Sequence, residues 1–417
     1  MAVNRRDKTL ATHVASAPWE YANADTQHLT HNIHRYSGKF IPQIARRAIE
    51  LLTAPGELVV DPYCGSGTTV LEAALSGRRA VGFDLNPLAI LIARVKTTAV
   101  PTAQLERLCH RLKADLSTID LQQGALFQAL SFGALNADVQ DDPRLSDPWF
   151  TKWFEQPILY DLVRIDRVIS QIKDTQLRDV ARVSFSDILR KSSRAHSGYP
   201  NVMFDRNAPE RERPIRPFQR ALERVCGMVA RLSSVSCSWP ETRVELADAT
   251  ALPLADCSVD AIVSHPPYIG SIPYAEYGLL SLKWLGADPK DLDQRLTGGR
   301  RQSSDVTERF QRDYGRMLSE AARVLKPGRH LFVMLGNPVV KGEKVDLASM
   351  TLDLGRELGL ELVVRAEREG VNRRANKMGV EHLLFLSKKR GSPRRAATLE
   401  KRLSTIGRES GRYHETQ

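Results

Sequence analysis

The 417 residues contain no run of eighteen or more apolar residues, so no helix is expected to cross a bilayer. The opening stretch, MAVNRRDKTLATHVASAPWE, carries charges but no apolar core. A secretory signal is therefore not expected, and a cytoplasmic location is. Cysteine is sparse: Cys64, Cys109, Cys226, Cys237 and Cys257 are scattered, odd in number, and form no CxxC pair. That pattern argues against a disulfide framework and a zinc site and predicts no metal. No internal repeat is present. Acidic residues are also short in number, and the net charge is +11. The excess is local. Residues 388–417 hold nine Lys/Arg against three Asp/Glu, and residues 181–224 hold ten against five. Such basic regions favour polyanions, nucleic acid first, although a solubilising tail would show the same charge.

With these classes set aside, the chain reads as a large soluble α/β protein. An apolar fraction of 42% is ordinary for a globular chain, and the length exceeds one ordinary domain. Residues 1–30 are polar and expected to be loose. Helical spacing marks 40–52. The segment PGELVVDPYCGSGTTVLEAALSGRRAVGFDLNPLAILIARVKT then reads as strand (58–60), glycine-rich loop (61–67), helix (68–75), turn, strand (80–83) and helix (87–96). That βαβα order predicts a parallel sheet covered by helices. Regular order resumes with strands at 244–246 and 261–263, a helix at 306–325, a strand at 330–335, a helix at 347–358, and strands at 361–367 and 382–386. Between 101 and 240 the pattern is harder to read. It includes helical stretches, the aromatics Trp149, Phe150, Trp153 and Phe154, and a Pro/Arg/Asn-rich loop near 190–217. Such a long irregular segment is functional or disordered. Residues 389–417 are expected to form a basic disordered tail.

The loop Asp61-Pro62-Tyr63-Cys64-Gly65-Ser66-Gly67-Thr68-Thr69 follows a strand and opens a helix. Its glycines allow a sharp bend and close approach to a ligand. Asp84 stands at the end of the next strand, placed to accept both hydroxyls of a ribose. The third glycine of GxGxxG is missing and no Lys-Ser/Thr follows, so the site has nucleoside geometry without a diphosphate grip. A glycine-rich turn with Asp84 as a helix cap is the plainer alternative.

DPYCGSGTT resembles the S-adenosylmethionine-binding motif of DNA methyltransferases that act on exocyclic amino groups, DPFxGSGTT, with Tyr63 replacing phenylalanine. His34-Arg35-Tyr36-Ser37-Gly38-Lys39-Phe40-Ile41-Pro42 resembles the motif that closes over the methionine end of the cofactor, and Asp248 with Ala249 resembles the acid beside the adenine. The resemblance implies a Rossmann-like methyltransferase fold: a mostly parallel seven-stranded sheet with helices on both faces and an inserted helical and loop region. Residues 31–100 and 241–388 would form the catalytic domain and 101–240 the target-recognition insert. The cofactor residues it implies are Tyr36, Lys39, Phe40, Pro42, Asp61, Pro62, Cys64, Gly65, Ser66, Gly67, Thr68, Asp84, Leu85, Asp248 and Ala249.

A second stretch, Ser264-His265-Pro266-Pro267-Tyr268, follows the apolar run 261–263. Two prolines fix φ and remove two N–H donors, so the loop cannot relax into helix or ladder. A rigid carbonyl can accept a hydrogen bond from an amino group, and the tyrosine can stack on an extruded base. The stretch resembles the (D/N/S)PPY motif of the same family, with His265 in the first place. A neutral imidazole offers one acceptor and a protonated one none, so His265 serves only when neutral, or Ser264 takes over. The resemblance implies His265, Pro266, Pro267 and Tyr268 as catalytic residues. Methylation of a cytosine ring carbon would need a thiolate, and none of the five cysteines follows a proline. The downstream YIGSIPYAEYGLLSLKWLG resembles enzymes that methylate cytosine N4, with Tyr274 or Tyr277 lining the base pocket. RVLKPGR (323–329), Gly336-Asn337 and Glu381 resemble later motifs of the family.

In the insert, Arg190, Lys191 and Arg194 stand among Ser192, Tyr199 and Asn201, residue types that reach phosphates and base edges. Double-stranded DNA is the partner implied, with base flipping and a cognate restriction or defence nuclease. Cytosine N4 is favoured over adenine N6. An RNA guanine-N2 methyltransferase, or a scaffold whose chemistry is lost, are the alternatives.

Overall fold

A computed structural model describes residues 5–121, 139–199, 201–235, 239–270, 272–299, 303–340, 342–371 and 377–390. Its centre is built from short apolar runs. β1 (Leu58–Asp61), β2 (Arg79–Asp84), β3 (Thr242–Leu246) and β4 (Val259–Ser264) are parallel neighbours, and β4 pairs in parallel with β5 (Leu325–Gly336). All six residues of β4 are buried, the continuous pattern of a strand covered on both faces. β6 (Leu360–Val371) and β7 (Lys377–Lys388) form an antiparallel pair, and β7 runs antiparallel to β5. The order across the sheet is β3-β2-β1-β4-β5-β7-β6. The chain leaves β1 in one direction and returns at β4 on the other side. The crevice at the ends of β1 and β4 is therefore the topological switch point, where α/β sheets bind ligands.

Helices cover both faces. On one lie α1 (Arg5–Ala15), α2 (Pro42–Leu52) and α3 (Thr68–Leu75), which share a core with Val59, Val263 and Phe332. α2 starts with Pro42 at its first turn, where the missing N–H costs nothing. It buries Ile44, Ala45, Ala48, Ile49 and Leu52 as one stripe. Asn86 caps α4 (Pro87–Thr97) by accepting from Leu88 N at 3.0 Å. On the opposite face α10 (Val306–Val324) and α11 (Leu347–Glu357) pack against Val60, Ile262 and Leu331.

The insert is helical: α5 (Thr102–Leu121), α6 (Pro148–Trp153), α7 (Gln156–Ser170), α8 (Thr175–Leu189) and α9 (Ile215–Ser233). Its core joins Leu88, Leu91, Ile92 and Val95 of α4, so it packs directly against the nucleotide-type unit. The loop after α8 is held by arginines. Arg190 Nη2 donates to the carbonyls of His196 and Asn201 at 3.0 Å and also to Tyr199. Arg211 donates to those of Ser193 and Ala195 at 3.0 and 3.1 Å. Arg213 forks onto the fully buried Asp161 at 2.6 and 2.7 Å.

One expectation is corrected. Residues 1–30, read as loose, include α1, and Leu10, Val14 and Trp19 are buried. Trp19 lies 5.8 Å from Phe385, and its indole N–H donates to Val14 O. Leu10 and Val14 are four apart, a one-turn stripe too short to stand out among polar neighbours. Most of the expected disordered tail, 391–417, lies outside the described residues, as does Cys237.

Candidate active site

The site is a cleft at the switch point, beside the ends of β1 and β4. Its floor is the glycine loop. Gly65 and Gly67 both have positive φ, +49° and +82°. A Cβ on Gly67 would lie 2.8 Å from Ala93 Cβ, so only glycine lets the loop rest on α4. Beneath the loop the buried Lys96 donates to Ser66 Oγ at 3.1 Å.

Asp84 caps no helix; Asn86 does that. Its two oxygens accept from the N–H groups of Gly65 (2.9 Å) and Asn86 (2.8 Å), which ties the loop to β2. Burial pushes its carboxyl up to about 6 despite those bonds. Asp61, at the end of β1, is likewise raised to about 6 by burial. It accepts from Ser264 Oγ at 2.7 Å and Tyr63 N at 3.0 Å, so the ends of β1 and β4 are joined directly. Cys64 is buried, and burial raises its thiol well above the ordinary value, with Asp84 and Asp61 adding to the effect. It is no nucleophile.

The 31–40 segment folds over the cleft. Lys39 Nζ donates to the carbonyls of His31 and His34, both at 3.0 Å, and burial lowers it to about 8. The segment is anchored to α3 through Glu72, fully buried. Its Oε1 meets His31 Nε2 at 2.7 Å and His28 Nε2 at 3.2 Å, and its Oε2 takes Arg46 Nε at 2.7 Å. Among the described residues this is the one group of three with metal-ligand types. Arg46 already neutralises the carboxylate, and His31 Nδ1 lacks the partner that orients a ligating imidazole. The arrangement is that of a hydrogen-bonded brace.

Of the residues singled out from the sequence, Tyr36, Lys39, Phe40, Asp61, Pro62, Cys64, Gly65, Ser66, Thr68, Asp84, Leu85, Asp248 and Ala249 line this cleft, together with His265, Pro267 and Tyr274. Two motifs about two hundred residues apart in sequence thus share one cavity. Pro42 starts α2, and Gly67 shapes the loop from behind. Tyr36 and Tyr274 stack with centroids 5.8 Å apart and also border a second cavity, lined by Arg35, Asp187, Arg190, Lys191 and Tyr277.

Three expectations change. Ser264 is fully buried and its hydroxyl is committed to Asp61, so it does not face a substrate. Arg190 organises its own loop, Ser192 is 2% exposed, and Arg194 lies 3.7 Å from Glu155. Of that group Lys191 and Tyr199 are exposed. Tyr268 does not line the cleft. A Cβ on Gly336 would meet its ring at 3.1 Å, so the ring lies against the end of β5, with its hydroxyl 2.9 Å from His265 Nε2. The aromatic rings that line the cleft are those of Tyr36, Phe40, Tyr63, His265 and Tyr274. Burial, then the Arg368 charge, pushes His265 down to about 4, so it is neutral near pH 7.

Sequence reading missed Asn86, Leu296 and Thr297, which also line the cleft. Tyr63 Oη donates to Thr297 Oγ1 at 3.1 Å, closing the wall from a connection that carries no motif.

Residues 5–94 match the N6_N4_Mtase family, described as DNA methylase. A Type II methyltransferase M.MvaI from Kocuria varians is 25% identical over 374 residues, 77% of this chain and 80% of that protein. A tRNA (guanine(10)-N2)-dimethyltransferase from Methanocaldococcus jannaschii is 34% identical over 68 residues, 16% of this chain and 19% of that one. Among solved structures, a SAM-dependent methyltransferase from Methanosarcina mazei aligns over 82% of this chain and 97% of its own, with 12% identity and a TM-score of 0.33. The resemblance to exocyclic-amino DNA methyltransferases drawn from DPYCGSGTT is borne out by the family match and by the long alignment with the Kocuria enzyme.

Proposed function

We propose that the chain transfers a methyl group from S-adenosylmethionine to an exocyclic amino group of a DNA base, cytosine N4 before adenine N6, in a restriction-modification or phage-defence setting. The observation that carries this reading is the shared cavity: the glycine loop, Asp84 and the His265–Pro267 edge face one another across it. In this reading the carboxylate of Asp84 accepts the ribose hydroxyls and Asp248 lies beside the adenine. The 36–40 segment covers the methionine end, with Tyr36 and Phe40 on its wall.

The extruded base enters against Tyr274, its amino group aimed at the methyl carbon. That nitrogen is a weak nucleophile because its lone pair is delocalised into the ring. Accepting its protons on fixed atoms, the Pro266 carbonyl and the neutral His265 ring, localises the lone pair. The nitrogen then attacks the methyl carbon in line as the carbon–sulfur bond breaks. S-adenosylmethionine would supply the methyl and depart as a neutral thioether, and the surplus proton of the amine would pass to bulk water. Positioning and electrostatics supply most of the rate. Cys64 takes no part. DNA approaches over the basic insert, with Lys191 at the rim of the second cavity.

Incubation of the protein and S-adenosylmethionine with unmethylated genomic DNA, followed by nucleoside mass spectrometry, tests this. N4-methylcytosine is the expected product, and N6-methyladenine would reassign the base. Methylguanosine formed only in tRNA would transfer the site to RNA, and no product on either would leave a binding scaffold.

A further inference from the structure

His265 stands where the resemblance expects Asp, Asn or Ser, and an imidazole is useful there only if the correct nitrogen carries the lone pair. The structure assigns that choice to three residues outside the cleft lining. Arg368 Nη1 donates to Glu381 Oε2 at 2.6 Å, and both side chains are buried, 7% and 5% exposed. Tyr268 Oη donates to Glu381 Oε1 at 3.4 Å and lies 2.9 Å from His265 Nε2. We propose that Arg368, Glu381 and Tyr268 are positioning residues that fix His265 as its Nε2–H tautomer and leave Nδ1 as the acceptor for the target amino group. The proposal rests on the proposed methyl transfer for its use, but the tautomer itself is a property of the free protein.

The reasoning is a count of donors and acceptors. Burial raises the Glu381 carboxyl, and the Arg368 guanidinium 2.6 Å from Oε2 opposes that shift and favours the carboxylate, which only accepts. The phenol therefore sends its single proton to Glu381. Its oxygen then faces His265 Nε2 as an acceptor, so Nε2 must carry the proton. In a neutral ring Nδ1 is then unprotonated. The geometry is enforced from several elements. Glu381 pairs with Gly336 in the β5–β7 register and with Arg368 in the β6–β7 register. Gly336 has no side chain to displace the Tyr268 ring. Phe40 packs against the imidazole, with centroids 5.4 Å apart.

The test is nitrogen NMR of protein labelled at histidine, with the His265 signals identified by their loss in His265→Asn. The expected spectrum of the wild type shows a protonated Nε2 and an unprotonated Nδ1. In Tyr268→Phe the preference should relax toward a mixture. In the same variant kcat on DNA should fall about tenfold, the worth of one oriented hydrogen bond, with S-adenosylmethionine affinity unchanged. Glu381→Gln should shift the tautomer less than Tyr268→Phe, since an amide oxygen still accepts. A wild type with Nδ1–H, or a Tyr268→Phe spectrum identical to wild type, overturns the proposal. Failure of methyl transfer with the expected tautomer would instead remove the proposed reaction and leave the relay standing.

Discussion

Asp84 is one residue on which the cofactor reading can be judged alone. Its carboxylate is held by two backbone N–H groups, and each oxygen keeps a lone pair for a ribose hydroxyl. Asp84→Ala should weaken S-adenosylmethionine by about ten- to a hundredfold, the range for a hydrogen bond to a charged group; calorimetry reads it, and unchanged affinity refutes the assignment. The sign of the pH effect follows from its pKa, raised to about 6. Below that value the side chain is protonated and loses an acceptor, so affinity should fall as pH drops from 7 to 5. His265 gives a second prediction. His265→Asn keeps an acceptor and should retain more turnover than His265→Ala, which should lose about a hundredfold, the scale for losing one preorganised polar contact to the reacting group. Equal kcat values for the two variants would remove the acceptor role. At this scale the sequence was informative for residues whose backbone does the work, such as Gly65 and Gly67. It was silent on partners. Nothing in the string shows that Ser264 bonds to Asp61 or that Arg190 is occupied by carbonyls of its own loop.

Elements with a strong period were legible almost to their ends. The strand, loop and helix from 58 to 75 match β1, the bend and α3, and the helix expected at 306–325 is Val306–Val324. α1 was missed because only Leu10 and Val14 of its eleven residues are buried, and what they cover is β6, far along the chain. The insert was hard to read for a different reason: its helices bury their faces against one another and against α4, and its loop is shaped by long-range arginines. Leu10 is 5% exposed. Leu10→Ala should therefore cost about 2 kcal/mol or more, the low end for a buried leucine, measured as a lower midpoint in denaturant. A midpoint equal to wild type would mean α1 is not docked in solution.

For the molecule as a whole, the sheet order brings the glycine loop and the His265–Pro267 stretch to one cleft at the ends of β1 and β4, and the insert borders it through the second cavity. On the proposed reading the net charge of +11 implies salt-dependent binding, because a polyanion releases counterions as it binds. Lys191→Ala should weaken DNA binding across all sequences and reduce the slope of log affinity against log salt by roughly one, while cofactor affinity stays the same. An unaltered slope would move the DNA path away from the second cavity. The sequence suggested this surface through composition but could not place it, because charge patterns carry no geometry.

A crystal structure of the protein with S-adenosylmethionine tests the shared cleft most directly. The expected density has both ribose hydroxyls on Asp84, the adenine beside Asp248, and the sulfonium methyl turned toward His265 and Pro267. A cofactor bound elsewhere, or with its methyl pointing away from that edge, would contradict it.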